Sequence, residues 1–311
     1  MKQFNQNYWA LILGGSSGFG LATAKKLAQE GMNILVVHRD RRGAMSRIEK
    51  DFDEIRKNDI KFLNLNLNAL TEEGRNQVLK QLKEKMGEGK VRLLLHSIAF
   101  GNLKPIAPLT KESSAQVAVS KLADKLGVTS EKIDKAVESL LEEGVAPLHS
   151  LQTQVYGDAL LGDEDMEQTI YSMGSSLLSW VQDLHHNKLF ASDARVIGLT
   201  SEGNQLAWRG YAAVAAAKVA IESISRSIAV EFAPYGIRSN IIQPGVTPTP
   251  ALKLIPGSEQ MKSVAKLRNP FQRTTTPEDV ADFIALMCTD EASWVNGSII
   301  RVDGGEHIAP L

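Results

Sequence analysis

The chain has 311 residues, a formal net charge of −1 and 43% hydrophobic residues, enough to bury the core of one large α/β domain or two small ones. Charges of both signs are spread along it, so there is no electrostatic case for nucleic acid or an anionic membrane as a partner. Cys288 is the only cysteine, which excludes a disulfide within the chain and predicts a buried apolar thiol.

The stretch MKQFNQNYWALILGG at the start of the chain does not have the basic region, apolar run and small-residue site of a secretory signal. No apolar run anywhere reaches the length of a transmembrane helix. We therefore expect a cytoplasmic protein with no membrane partner.

Short apolar runs alternate with helical patterns such as GLATAKKLAQEG and EEGRNQVLKQLKEKMG. The predicted strands are YWALIL (8–13), MNILVV (32–37), IKFLNL (60–65), VRLLLHS (91–97), ARVIGLT (194–200), IRSNII (237–242) and SIIRVD (298–303). This alternation predicts one α/β domain over residues 1–311, a Rossmann-type doubly wound parallel sheet of about seven strands with helices on both faces.

A long gap separates the fourth predicted strand from the fifth, where a crossover helix needs far fewer residues. Within it, SSAQVAVSKLADKLGVTSEKIDKAVESLLEEGV (113–145) has the pattern of two helices, the second opened by Thr129 or Ser130 and closed by Gly144. We expect an ordered helical insertion over residues 110–163.

Glycines follow the first predicted strand in GGSSGFG, where Gly14, Gly18 and Gly20 are spaced as GxxxGxG and a helix begins near Leu21. Such a turn lets the backbone approach a pyrophosphate, and the helix N-terminus supplies free N–H groups and a partial positive charge. A plain tight turn is the alternative, but the position after the first strand of a βαβ unit favours a dinucleotide site.

The second strand ends in VVHRDRRG, where His38 stands at the place that an NAD-selective site usually gives to an acidic residue. Arginines follow at positions 39, 41 and 42, and guanidinium groups can pair with a 2′-phosphate. The pattern favours NADPH over NADH, with Arg39 as the main contact. A solvated basic turn, with Asp40 among the arginines, is the alternative.

The octapeptide YAAVAAAK (211–218) has only two polar side chains, those of Tyr211 and Lys218. Seven helical steps of about 100° bring them to one face, about 10.5 Å apart along the axis. One ligand could contact both.

These motifs, together with NALTEEG (68–74), IRSNIIQPG (237–245) and RVDGG (301–305), resemble those of the short-chain dehydrogenase/reductase superfamily in their order. Two details resemble its enoyl-acyl carrier protein reductase branch: six residues rather than three separate the tyrosine from the lysine, and the fourth strand ends in LHSIAFG (95–101). This resemblance implies reduction of the carbon-carbon double bond of a trans-2-enoyl thioester.

The resemblance implies roles for individual residues. Tyr211 would stabilise the enolate through its hydroxyl, and Lys218 would hold the nicotinamide ribose. Asn68 would accept a hydrogen bond from the adenine amino group. Residues 246–270 would form the substrate-binding loop. The implied cofactor-binding residues are Gly14, Ser16, Ser17, Gly18, Phe19, Gly20, His38, Arg39, Asn68, Ser97, Ile98, Ala99, Thr200, Lys218, Pro244, Gly245, Thr247 and Thr249.

The substrate pocket departs from both sub-patterns of the superfamily. LTSEGN (199–204) puts Ser201 where the enoyl reductase branch has an aromatic residue, and Gly198 stands where carbonyl reductases have a serine. Thr200 or Ser201 would either bond the substrate oxygen or cap the strand end. Phe100 is a further candidate for the pocket.

The resemblance favours a carrier-protein thioester over a coenzyme A thioester as partner, and implies a homotetramer or homodimer. The insertion could cover the acyl pocket, contact the carrier or form an oligomer interface. Lysines 121, 125, 132 and 135 would suit an acidic carrier, although charged helix faces are usually only solvated. The six histidines have no metal-ligand spacing, so no metal is expected.

Two alternative functions stay open. The nearer one is a carbonyl reductase of the same superfamily that acts on a 3-oxoacyl thioester or another ketone. The other, from a different class, is a non-catalytic NAD(P)-binding regulatory protein, although the intact pair of Tyr211 and Lys218 argues against it.

Overall fold

The computed structural model describes residues 3–310, and they contain one seven-stranded sheet. All strand pairs are parallel, in the order β3-β2-β1-β4-β5-β6-β7. The strands are β1 (Tyr8–Leu13), β2 (Asn33–His38), β3 (Phe62–Asn66), β4 (Lys90–His96), β5 (Phe190–Leu199), β6 (Ile237–Pro244) and β7 (Ile299–Val302). The predicted doubly wound parallel sheet is confirmed.

Helices occupy both faces of this sheet and the long gap between β4 and β5. They are α1 (Gly18–Gln29), α2 (Met45–Arg56), α3 (Glu72–Met86), α4 (Ser114–Leu126), α5 (Ser130–Glu142), α6 (Asp163–Ile170), α7 (Ser176–His186), α8 (Ala212–Glu231), α9 (Ser258–Arg268) and α10 (Pro277–Met287). A π-helical turn, Tyr171–Ser175, joins α6 to α7. Among the helices of residues 3–310, none combines the length and the apolar character needed to cross a bilayer.

The alternation of side chains along β1 builds a separate core on each face of the sheet. Trp9, Leu11 and Leu13 pack with residues of α3, α7 and α8 on one face. Ala10 and Ile12 pack with residues of α1, α2 and α10 on the other. Because both faces are covered, the central strands are almost wholly apolar.

The order of strands reverses between β1 and β4, which are neighbours in the sheet. Leu13 at the end of β1 lies beside Val37 of β2 and His96 of β4. Open α/β sheets bind ligands in the crevice at the carboxyl ends of the strands beside such a switch point. The glycine-rich turn and the residues after β4 therefore meet at one edge.

The insertion forms a helical hairpin with its own small core. Val119 and Ala123 of α4 pack against Ile133, Val137 and Leu141 of α5. The hairpin and the 3-10 turn that follows it lie against α9, at the carboxyl edge of the sheet. The insertion is thus placed beside the ligand crevice.

A cluster of charges closes the opposite, amino-terminal part of the sheet. Asp193 accepts from the fully buried Arg92 (2.7 Å) and Arg195 (2.5 Å), and also from Arg238. Burial acts to raise the pKa of this carboxyl. The hydrogen bond and the charge of Arg195, together with the charges of Arg92 and Arg238, outweigh it and hold the pKa below its usual range. Cys288 is buried here as predicted, and burial raises the pKa of its thiol to about 12.

We expect Asp193→Asn to lower the free energy of unfolding by about 3 kcal/mol or more, because it removes the carboxylate that the fully buried Arg92 and Arg195 share, and Arg195 has no other carboxylate partner among residues 3–310. Asp290→Asn is the matched control: this carboxyl also pairs with Arg92, but its side chain is 88% exposed, so the loss should stay below about 1 kcal/mol. Urea denaturation followed by circular dichroism measures both. Equal small losses would contradict this view of the cluster.

Candidate active site

A cavity of about 390 Å³ lies at the carboxyl ends of β4, β5 and β6, between the start of α8 and the helix α9. The segments after β4 (residues 97–99), β5 (200–203) and β6 (245–247) contribute to its walls. Tyr211 and Lys218 both line it, so the structure brings together the two residues of the YAAVAAAK motif.

Tyr211 immediately precedes the first residue of α8, and its side chain enters the cavity. Its hydroxyl lies 3.4 Å from Oγ of Ser201. Burial raises the pKa of the phenol, while the contact with Ser201 acts in the opposite direction. The phenol therefore stays protonated at neutral pH and can donate a hydrogen bond to a ligand oxygen.

Lys218 lies two turns further along α8 and is buried. Its ammonium donates to the carbonyl oxygen of Leu199 at 2.9 Å. Burial lowers the pKa of this lysine to about 8, and the nearby carboxylate of Glu222 opposes that shift. This lysine therefore loses its proton more readily than usual. The ammonium hydrogens that do not bond Leu199 can be donated to a ligand.

Glu222 was not anticipated from the sequence. It is buried one turn after Lys218 and accepts hydrogen bonds from the hydroxyl of Thr200 and from the side-chain amide of Asn204 (2.6 Å). A carboxylate four residues after a lysine in an otherwise apolar helix was the available signal. Of the two candidate hydroxyls after β5, Thr200 thus faces Glu222 and Ser201 faces Tyr211.

Gly198 lies inside β5 and faces the core. A Cβ at this position would lie 2.7 Å from Cδ1 of Ile241 and 2.8 Å from Cδ1 of Ile221. Position 198 therefore has no room to present a hydroxyl to Tyr211, and Ser201 provides one instead.

The glycine-rich turn has the features of a phosphate site. Gly14 has φ +84°, and a Cβ there would lie 2.4 Å from the carbonyl oxygen of Ser97, so only glycine lets the turn approach the end of β4 this closely. α1 begins at Gly18 rather than near Leu21, because Ser17 has extended backbone and forms its N-cap. The Ser17 side chain makes no capping bond and the first turn has no acidic residue, so its N–H groups suit an anion.

The other predicted cofactor residues lie around the same crevice, and together they fit a dinucleotide. Asn68 follows β3, and its side-chain oxygen accepts the N–H of Leu70 at 3.1 Å, which leaves a second lone pair for an adenine amino group. The predicted residues that line the cavity itself are Phe19, Ser97, Ile98, Ala99, Thr200, Lys218, Pro244, Gly245, Thr247 and Thr249.

The structure differs from the expectation for His38 and Phe100. The His38 side chain is only 1% exposed, packed edge-on against Phe52 with Nδ1 2.8 Å from Asp40, so it offers almost no surface to a ribose. Phe100 does not line the cavity; its ring lies under the guanidinium of Arg39, 4.4 Å from ring centroid to Cζ. Both orientations follow from neighbours that are distant in sequence.

Charged residues that the sequence analysis did not single out form one end of the cavity. Arg268 of α9 donates to the carboxylate of Glu202 through Nη2 and Nη1, at 3.0 and 3.3 Å. Glu306 is buried, accepts the N–H of Val246 at 3.2 Å, and has its pKa raised to about 7 by burial. The glutamate directly follows the RVDGG motif, which was the signal that could have found it.

The remaining wall is apolar. The predicted substrate-binding loop folds as a 3-10 turn, Leu252–Leu254, followed by α9, and its residues Leu252, Leu254, Ile255 and Met261 all line the cavity. Side chains from other elements complete this wall: Leu103, Met173, Leu206, Trp208 and Val214. Such a surface suits an acyl group.

His96, at the end of β4, is a buried imidazole beside the cavity residues that follow this strand. Burial, with a smaller contribution from Lys218, lowers the pKa of its ring to about 3, so it is neutral. Its Nε2 lies 2.8 Å from Oγ of Ser176. Within residues 3–310, no group of three or more His, Cys, Asp or Glu side chains could hold a metal ion.

Two family models match the chain. Residues 8–122 match a model described as short chain dehydrogenase, and residues 117–307 match one described as Enoyl-(Acyl carrier protein) reductase. Together they span nearly the whole chain, including all of the insertion.

Similar proteins include 1-cyclohexenylcarbonyl-CoA reductase of Streptomyces collinus, 37% identical over 124 residues, a match that covers 39% of this chain and only 44% of that enzyme. A probable 2,4-dienoyl-CoA reductase of Bacillus subtilis is 25% identical over 310 residues, which cover 96% of both chains. Among solved structures, 3-ketoacyl-(acyl-carrier-protein) reductase from Brucella melitensis, complexed with NADH, superposes with a TM-score of 0.67 at 21% identity, over 96% of this chain and 98% of that one.

The two family models thus agree with the doubly wound sheet, the glycine-rich turn and the paired tyrosine and lysine in the cavity. The chain belongs to the short-chain dehydrogenase/reductase superfamily.

Proposed function

We propose that this protein reduces the carbon-carbon double bond of a trans-2-enoyl thioester with NADPH as the hydride donor. The observation that carries the proposal is the pair of Tyr211 and Lys218, with six residues between them, in a cavity whose far wall is apolar. The names of two relatives, a cyclohexenylcarbonyl-CoA reductase and a probable dienoyl-CoA reductase, point to the same class of substrate.

Tyr211 stabilises the charge that develops on the thioester oxygen. When bound, the cofactor supplies the hydride that reaches the β-carbon. The phenol of Tyr211 donates a hydrogen bond to the oxygen of the resulting enolate, and the buried site makes this bond stronger than it would be in water. The hydroxyl of Ser201, 3.4 Å from that of Tyr211, is the second donor within reach of the same oxygen.

Lys218 holds the ribose hydroxyls next to the nicotinamide and favours the developing negative charge through its own positive charge. Glu222 lies one turn away and favours the charged form of the lysine. Burial favours the neutral amine of Lys218, and the charge of Glu222 favours the ammonium that the ribose requires.

The turn after β2 supports a preference for NADPH. Arg39, Arg41 and Arg42 are exposed, whereas the carboxylate of Asp40 is engaged by the buried ring of His38. The turn thus offers guanidinium groups to a 2′-phosphate and no free carboxylate to a ribose hydroxyl.

A carbonyl reductase is the second candidate. The contact between Ser201 and Tyr211 supplies a serine, tyrosine and lysine together, the set that reduction of a ketone uses in this superfamily. Substrate tests must therefore include a 3-oxoacyl thioester.

The purified protein should oxidise NADPH in the presence of crotonyl thioesters, and Tyr211→Phe should lower kcat roughly 100-fold or more, because it removes the donor to the enolate oxygen. Absorbance of the reduced nicotinamide measures turnover with carrier-protein and coenzyme A thioesters, and with cyclohexenylcarbonyl-CoA. Cofactor affinity, measured by fluorescence titration, should stay the same in the variant. Turnover of acetoacetyl thioesters alone would establish the carbonyl reductase, and binding of NADPH without any turnover would establish the regulatory protein.

We expect Arg39→Ala to raise the Kd for NADPH roughly tenfold or more and to leave the Kd for NADH unchanged, since only NADPH has a phosphate for this side chain. Arg47→Ala removes an exposed arginine from the first turn of α2 and serves as the control. Isothermal titration with each cofactor checks both variants. An equal effect of Arg39→Ala on the two cofactors would remove the argument for NADPH.

The affinity for NADPH should fall as pH rises above about 8, the pKa to which burial lowers Lys218, because the ammonium then becomes a neutral amine. Fluorescence titrations between about pH 7 and about pH 9.5 should show a loss of up to roughly tenfold, the size expected for a charged hydrogen bond. Lys218→Met should bind more weakly at every pH and show no such decline. A flat profile for the unmodified protein would contradict the role given to this lysine.

A further inference from the structure

Residues 152–156 of the insertion follow α5 and the 3-10 turn Ala146–Leu151. Gln152, Thr153 and Val155 line a second pocket together with the residues that lead into α9 and with its first turn. The side chains of Gln152, Gln154 and Tyr156 in this segment are called the polar clamp below. They contact two elements that shape the cavity: the start of α9 and the loop that leads into Tyr211.

The N-terminus of α9 lacks a cap of its own. Its N-cap residue is Gly257, with φ +81° and no side chain to accept a hydrogen bond. The first N–H groups of a helix need such acceptors. Oε1 of Gln152 accepts the N–H of Gln260, the third residue of α9, so the insertion supplies the cap.

Gln154 uses both ends of its amide in the clamp. Its nitrogen donates to Oε1 of Gln260 at 2.9 Å, and its oxygen accepts the hydroxyl of Tyr156 at 2.6 Å. The same side chain covers Gly257, where an added Cβ would lie 2.7 Å from Nε2 of Gln154. The first turn of α9 is therefore held from two sides.

Tyr156 connects the polar clamp to the loop that leads into Tyr211. Its hydroxyl lies 3.2 Å from the carbonyl oxygen of Arg209, and a Cβ on Gly210, the residue before Tyr211, would lie 3.1 Å from its ring. A separate hydrogen bond joins this loop directly to the segment before α9: the indole N–H of Trp208 donates to the carbonyl oxygen of Pro256 at 3.2 Å. The clamp, the approach to α9 and the approach to Tyr211 form one connected unit.

We propose that Gln152, Gln154 and Tyr156 are positioning residues that hold α9 closed over the cavity before substrate binds, so that the acyl group enters a preformed site. The part of this inference that concerns acyl binding rests on the proposed function. A closed site spares the substrate the cost of ordering a loop, and a loosened one is competent for only a fraction of the time.

A purely structural insertion would behave differently, because all of its internal contacts would then matter alike. Thr153 offers the comparison: its hydroxyl donates to Asp134 of α5 at 3.1 Å, within the insertion, although it lies between the two glutamines. Thr153→Val disturbs the insertion without touching α9.

Hydrogen exchange of the full chain without ligands tests the clamp directly. In Gln152→Met and in Gln154→Met, which keep side-chain length, amides of residues 258–264 should exchange roughly 3- to 10-fold faster, as expected for one or two lost neutral hydrogen bonds. In Thr153→Val they should exchange at the original rate, and the amides of α10 should be unaffected in all three variants. Unchanged exchange in both glutamine variants, or equal acceleration in Thr153→Val, would overturn the proposal.

Steady-state kinetics provide the second readout. For whichever enoyl thioester the protein reduces, Gln154→Met should raise KM by the same roughly 3- to 10-fold factor and leave kcat within about twofold. Faster exchange at α9 with an unchanged KM would also overturn the proposal. If no thioester is reduced, the proposed function fails, and the exchange measurement still decides whether the clamp holds α9.

Discussion

Burial of both faces of the parallel sheet is the constraint on which the arrangement of this protein depends. Strands that are covered on both sides have no place for an unpaired polar group along their length. Polar side chains therefore gather where the strands end. At the amino-terminal part they form the cluster around Asp193, and at the carboxyl edge they form the candidate active site.

The same constraint explains the surroundings of Lys218. A buried ammonium needs nearby acceptors or negative charge, and here it has a carbonyl oxygen and the field of Glu222. Glu222 in turn accepts from Thr200 and Asn204, which lie on the loop after β5. The buried carboxylate of Glu222 thus links α8 to the loop that carries Ser201, whose hydroxyl lies 3.4 Å from that of Tyr211.

Local patterns in the sequence were sufficient to predict most of the fold. The period of the apolar residues located the seven strands, and their alternation with helices identified the doubly wound class, because both signals depend on neighbours in the chain. Gly14 and the pair of Tyr211 and Lys218 could be found for the same reason: a turn after a strand and a spacing along one helix are local properties.

The details that escaped prediction depend on residues far apart in sequence. The ring of His38 is buried against Phe52 of α2. The ring of Phe100 lies outside the cavity, against the guanidinium of Arg39. The cap that Gln152 gives to α9 joins residues 108 positions apart. No pattern in the sequence predicts such a contact, because each glutamine by itself has the features of an ordinary solvent-exposed side chain.

The separate core of the α4–α5 hairpin has a consequence for how this protein could change over time. Val119, Ile133 and Val137 pack among themselves rather than with the residues that hold the sheet together. The hairpin can therefore accumulate substitutions, or be exchanged for another of similar reach, while α8 and the glycine-rich turn keep their own packing. Its contacts with α9 and with the loop before Tyr211 are made by only three side chains, so such an exchange would need to preserve few contacts.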